Sequence, residues 1–119
     1  MKIYHKNKWV SVDANDARLK DCNIFIGQDA WIGPGAWIGP GAVIGQDAWI
    51  EQDAWIGQSA VIEQNTWIGQ GTRIEQNAVI KRGAVIGQNA VIKRGVVIEQ
   101  GAVIGQGARI GPGAVIEFI

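Results

Sequence analysis

Cysteine, methionine, tyrosine and histidine each occur once among the 119 residues of this chain, proline three times and phenylalanine twice. A single thiol, Cys22, cannot build an internal disulfide framework or a multi-thiolate metal site. No sign of charge dominates, since eleven Lys plus Arg stand against eleven Asp plus Glu. Without a basic surplus there is nothing to neutralise nucleic-acid phosphates or to hold an anionic membrane surface, so neither is an expected partner. No stretch approaches the ~18 consecutive apolar residues of a membrane span. The start, Met1-Lys2-Ile3-Tyr4-His5-Lys6-Asn7-Lys8, leads into no apolar run of the ~7–15 residues a signal peptide needs. The cytoplasm is the expected compartment.

Glycine is abundant instead: 17 residues, about twice the usual share of ~7%. Their positions follow a repeat. Isoleucine recurs at every sixth residue from Ile26 to Ile116, sixteen times without a gap. With that Ile as the first slot of a hexad, the second slot is Gly nine times and otherwise Glu or Lys, and the third is mainly Gln, with Pro34, Pro40 and Pro112. In the fourth slot stand eight Gly together with Asp29, Asp47, Asp53, Ser59, Asn65, Asn77 and Asn89, mostly residues that tolerate a left-handed backbone. The fifth is small, nearly always Ala, and the sixth is Trp, Val or Arg. A period of six divides by two, so one face recurs in an extended chain, whereas it drifts around a helix. Each hexad is expected to form a short strand of about four residues and a corner. Alternation sends Ile and Ala inward and the sixth slot outward.

Repeats such as Ile26-Gly27-Gln28-Asp29-Ala30-Trp31 and Ile104-Gly105-Gln106-Gly107-Ala108-Arg109 resemble the hexapeptide repeat of the left-handed parallel β-helix family. The resemblance covers residues 26–119 and implies an all-β triangular prism, a solenoid of three hexads per coil and about five to six coils. Its left hand comes from the resemblance alone, because parallel crossovers generally take the right hand. Residues 1–25 are expected to form an N-terminal cap: an edge strand over 1–11, then an irregular first coil over 12–25 with one extra residue at each corner, as the spacing of Val12, Leu19 and Ile26 suggests. Phe118 is a candidate to fold over the last coil.

At a stride of 18 the sixth slots fall into three outward columns. The first runs Trp31, Trp49, Trp67, Val85 and Val103. The second runs Trp37, Trp55, Arg73, Val91 and Arg109. The third, Phe25 followed by Val43, Val61, Val79, Val97 and Val115, is an unbroken apolar stripe. Exposed stripes of this kind usually serve association or ligand binding, although Val and Trp also simply suit strands. Phe25, the third-column valines and the five tryptophans of the repeats are therefore the candidate interface. Trp ladders could also stack against sugar rings, but no set of hydrogen-bonding side chains accompanies them in the sequence. Glu63, Lys81 and Glu99 fall in one charge column, Glu75 and Lys93 in another, so opposite charges are expected to stack. That neutralisation weighs against an anion patch at Lys81-Arg82 and Lys93-Arg94. Arg73 and Arg109 look like gatekeepers against sheet-on-sheet aggregation.

Many members of the family are acyltransferases, for which the resemblance implies a catalytic His near an extruded loop and an acyl-carrier cofactor at a subunit boundary. Here no loop interrupts residues 26–119, and the one histidine, His5, precedes the first coil and reads as an exposed terminal residue. A related branch holds zinc with three His, which this chain lacks. Asp29, Asp47 and Asp53 are explained by their corner positions, Gly33-Pro34-Gly35 is a turn and not a phosphate loop, and Cys22 reads as incidental. Ice binding by this helix type resembles a face of outward Thr, whereas Thr66 and Thr72 occupy inward slots.

The sequence thus points to a non-catalytic scaffold, without cofactor or metal, that self-associates as a homo-oligomer or binds a protein partner through its apolar columns. An acyltransferase-like enzyme and an ice- or carbohydrate-binding solenoid are the alternatives. Such regularity fits a consensus or designed solenoid as well as a natural one.

Overall fold

Left-handed corner residues recur where the hexads place them. In the computed structural model, which describes residues 1–6, 8–13 and 15–117, the fourth-slot residues take φ between 59° and 77°, whether Asn, Asp, Ser or Gly. One such residue per hexad turns the chain through a corner. Three corners close a coil, and the result is a left-handed parallel β-helix of about five turns. The molecule measures 40 × 26 × 20 Å.

Two N-terminal strands, β1 (Lys2–His5) and β2 (Lys8–Ser11), and one short helix, α1 (Arg18–Asp21), precede the coils. The coils follow as two-residue strands, from β3 (Phe25–Ile26), β4 (Trp31–Ile32) and β5 (Trp37–Ile38) to Val115–Ile116. Each regular strand is shorter than the four residues expected, because only the sixth and first slots lie in the extended ladder. The pairing nevertheless reaches across four slots: Trp31 N–H donates to the Ala48 carbonyl at 2.9 Å and Gly33 N–H to that of Ile50 at 2.7 Å. Register is the stride of 18, with Trp49 opposite Trp67, Trp37 opposite Trp55 and Val61 opposite Val79. The three columns form three parallel sheets, here called faces one, two and three.

Inside the prism, every repeat isoleucine from Ile38 to Ile98 is at most 1% exposed, with Ala or Val96 layered between. Stacking identical residues at each level gives a dense core that needs neither metal nor disulfide. Thr66 and Thr72 are also inward, and each hydroxyl donates to a carbonyl, of Lys81 at 3.2 Å and of Gly87 at 3.0 Å. Among the described residues no buried side-chain polar atom is left unpaired.

The N-terminal segment departs from the irregular coil expected over residues 12–25. Val12 and Leu19 are buried as their spacing suggests, but residues 18–21 form a helical turn. Asp16 favours that turn, because its carboxylate accepts the Arg18 backbone N–H at 2.9 Å. The vacant level beneath face two is filled by β1, which pairs parallel to β5 with Ile3 under Ile38, while β2 returns antiparallel to form the edge. Ile3 is fully buried, so the hairpin closes this end of the core. The expected covering role of Phe118 lies outside the described residues. No helix among the described residues is long and apolar enough to cross a membrane.

Candidate functional site

Alternation places every sixth-slot side chain outward, so the three faces carry whatever surface chemistry the coils possess. On face three, Phe25, Val43, Val61, Val79, Val97 and Val115 stand in register as one stripe over six strands. Phe25 is 61% exposed and Val115 55%, and the valines between them are half-buried by their stacked neighbours. A groove of about 750 Å³ runs beside Phe25, Val43 and Val61, bordered by Glu63, Lys81 and Arg82. No charged side chain interrupts the stripe.

Face one carries Trp31, Trp49 and Trp67, whose rings lie nearly parallel with centroids 4.4 and 5.2 Å apart. The rings spend much of their faces on each other and turn edges to solvent. A pyranose, which binds to a ring face, meets a poor platform here. The accompanying polar groups are nonetheless present: Gln52 and Gln70 line the same shallow groove and are hydrogen-bonded at 3.4 Å.

On face two the aromatic column is partly covered by the chain itself. Trp9, on β2, folds back over Trp37 with centroids 4.6 Å apart and 70° between planes, and reaches Trp55 at 5.8 Å. Tyr4 packs edge-on against Trp9, and the Lys2 ammonium stands 5.3 Å from the Trp37 ring. Trp9 has no place in the hexad pattern; its signal was the pair of short segments with apolar residues, Ile3-Tyr4 and Trp9-Val10, on either side of Lys6-Asn7. Arg73 sits 5.7 Å from the Trp55 ring and 3.7 Å from Glu75, which also meets Lys93 at 3.8 Å. The expected Glu75–Lys93 pairing therefore forms. The expected Glu63–Lys81–Glu99 ladder does not appear as ion pairs among the described residues: Glu63 accepts the Arg82 backbone N–H at 3.2 Å, and Arg82 donates to Gln100 at 3.1 Å.

His5 is not the exposed terminal residue expected. Its side chain is 13% exposed, and Nε2 lies 3.1 Å from Asp21 Oδ2. The β1 hairpin brings it against the C-terminal end of α1, where Cys22 follows. The Cys22 thiol donates to the Tyr4 carbonyl at 3.1 Å, and burial, with the nearby Asp21 charge, pushes its pKa up. A thiol held protonated in this way is a poor nucleophile. Among the described residues no three His, Cys, Asp or Glu side chains converge as metal ligands.

Comparison with known proteins matches residues 19–118 to the family model described as GMPPB C-terminal domain. No curated protein sequence matches the chain. Solved structures similar to it include the acetyltransferase domain of PglB from Neisseria gonorrhoeae FA1090, at 22% identity and a TM-score of 0.78 over 79% of this chain and 46% of that one. A hexapeptide transferase family protein from Anaplasma phagocytophilum aligns with 98% of this chain and 74% of its own, at 19% identity and a TM-score of 0.62. WeeI from Acinetobacter baumannii AYE aligns with 79% of this chain and 50% of its own, at 25% identity and a TM-score of 0.66. The chain thus spans about half the length of the first and third of these (46% and 50%), and the likenesses establish the hexapeptide-repeat fold. With the family model covering most of the chain, this protein belongs to the GMPPB C-terminal domain family, built as a hexapeptide-repeat left-handed β-helix.

Proposed function

We propose that this chain is a non-catalytic cytoplasmic scaffold that associates with further copies of itself, or with a protein partner, through its apolar faces. The observation that carries this reading is the uninterrupted face-three stripe from Phe25 to Val115. Apolar surface exposed as one contiguous strip is costly to hydrate and is relieved when a second surface covers it. Face one contributes the exposed edges of Trp31, Trp49 and Trp67, while Trp37 and Trp55 are partly occupied by Trp9. The test is the solution mass measured by light scattering over a range of concentrations. An oligomer at tens of micromolar supports the scaffold, and a monomer throughout, with tryptophan emission typical of fully exposed indole, removes it.

A second reading rests on one observation. Two of the similar structures are an acetyltransferase domain and a hexapeptide transferase family protein, and here His5 is held at 3.1 Å by Asp21, a carboxylate–imidazole pair of the kind that orients a general base. Acyl transfer from an acyl-carrier thioester would then use His5 at the N-terminal end of the prism. Calorimetric binding of acetyl-coenzyme A, together with turnover lost in His5→Ala, would establish this reading; absence of binding excludes it.

A further inference from the structure

The hairpin does more than close the core, because it stops partway up face two and leaves a step. Below the step the face is covered by Trp9, and above it the surface drops to Trp55, Arg73 and the corner beyond. The resulting notch has a volume of about 400 Å³ and is lined by Trp9, Trp55, Arg73, Glu75, Gln76 and Arg94, among others. No hexad alone could form it, since one wall comes from β2 and the other from repeats in two higher coils.

Its chemistry is one-sided. The single carboxylate, Glu75, is met by Arg73 at 3.7 Å and Lys93 at 3.8 Å, and Arg94 stands one position further along. Three cations thus share one acid in a chain whose formal net charge is zero. The corner after face three has the opposite bias, with Asp29, Asp47, Glu63, Glu99 and Glu117 against Lys81 and Arg82. Among the described residues Arg94, which is exposed, makes no side-chain hydrogen bond or ion pair, and Arg73 meets Glu75 through Nε at 3.7 Å. One unengaged guanidinium fork, that of Arg94, and a second that leans on Trp55 and Glu75, that of Arg73, therefore stand beside two indoles.

We infer that this notch binds a flat aromatic anion, with its ring system against Trp9 and the edge of Trp55, whose face is stacked on Trp37 at 5.2 Å, and its carboxylate on Arg73 and Arg94. An aromatic ring gains from indole contact, and a planar carboxylate matches the fork of an arginine. Neither half suffices alone: a simple anion competes poorly with water at an open surface, and a neutral ring has no reason to choose this notch over the tryptophans of face one. The inference does not depend on self-association through face three.

The experiment is an NMR titration of the full chain with 2-naphthoate, following assigned indole and backbone N–H signals, with 2-naphthalenemethanol and inorganic phosphate as comparison ligands. Naphthoate is expected to shift Trp9 and Trp55 saturably with a midpoint on the order of 1 mM, the range of a small ligand with few contacts. Arg73→Gln and Arg94→Gln are each expected to weaken binding about tenfold. Arg94 is exposed at a corner, so its variant keeps the fold, as circular dichroism will verify. The inference is overturned by no saturable shift up to about 10 mM, by shifts centred on Trp31, Trp49 and Trp67, or by naphthalenemethanol or phosphate binding as tightly as naphthoate.

Discussion

Trp9 meets Trp37 edge-on, with ring centroids 4.6 Å apart, and through this contact a hairpin outside the repeat is fastened to the first complete coil. Paired aromatic rings of this geometry contribute beyond the area they bury. Trp9→Ala is expected to destabilise the protein by about 1–3 kcal/mol, less than a fully buried Trp because one side of the ring meets solvent. Urea denaturation followed by circular dichroism measures this, and an unchanged midpoint would show that β1 holds the cap without Trp9.

Glycine in the second slot draws adjacent coils together. The backbone bond from this slot is 2.7–2.8 Å at the glycines and 2.8–3.1 Å where Glu or Lys stands there. A Cβ on Gly45 would stand 2.6 Å from the Gln64 nitrogen, so a side chain there must push the coils apart. Gly45→Ala is expected to cost about 1–3 kcal/mol, as overpacking does. Comparison with Glu51→Ala, which keeps the Cβ already accommodated and should change stability by less than about 0.5 kcal/mol, isolates the effect. Equal losses in the two variants would contradict it.

Ser59 holds a corner at φ 59°, where most corners use Gly, Asn or Asp. Replacing it with Gly removes the strain of a left-handed β-carbon, and Ser59→Gly is expected to raise stability by about 0.5–1 kcal/mol in a thermal melt. A lower melting temperature would mean that the serine hydroxyl contributes more than the backbone loses.

At Asp16 the side-chain hydrogen bonds from Arg18, 2.8 and 2.9 Å long, lower the carboxyl pKa from 3.8 to about 2, helped by the Arg18 backbone N–H. Because the folded value lies below the unfolded one, this contribution to the cap is fully present above pH 3.8 and is lost as pH falls towards 2. NMR titration of Asp16 should find the low value, and Arg18→Ala, which keeps only the backbone N–H bond, should raise it towards the ordinary carboxylate value of ~3.9. A wild-type value already in that range would remove the pairing.

Much of this architecture was legible because the hexad repeats every structural decision. Ile26 to Ile116 announced the inward stripe, fourth-slot Asn, Asp and Gly the corners, and a stride of 18 the order of all three faces. Just upstream of the repeats, Asn23 takes φ 58° and Ile24 is buried, as a fourth-slot corner and an inward residue do. What periodicity could not show was contact between segments outside it. The β1 level under face two, the His5–Asp21 pair and the Trp9 step each depend on how one non-repeating stretch lies against another. Charge columns were legible in position but not in pairing, since Glu63 turned to a backbone N–H, whose donor is fixed in place, instead of the flexible Lys81 ammonium.

The face-three stripe carries the central claim, and Val79 lies near its middle, paired with Val61 and Val97. A lysine there places a charge within the stripe while the inward Ile80 is untouched. Sedimentation equilibrium of the wild type and Val79→Lys, at tens of micromolar and with matched circular dichroism, is the most direct measurement. The expected result is a wild-type mass that is a multiple of 12.8 kDa and a shift of Val79→Lys toward the monomer. A wild type of 12.8 kDa, or an oligomer that Val79→Lys leaves intact, would contradict the assignment of face three as the associating surface.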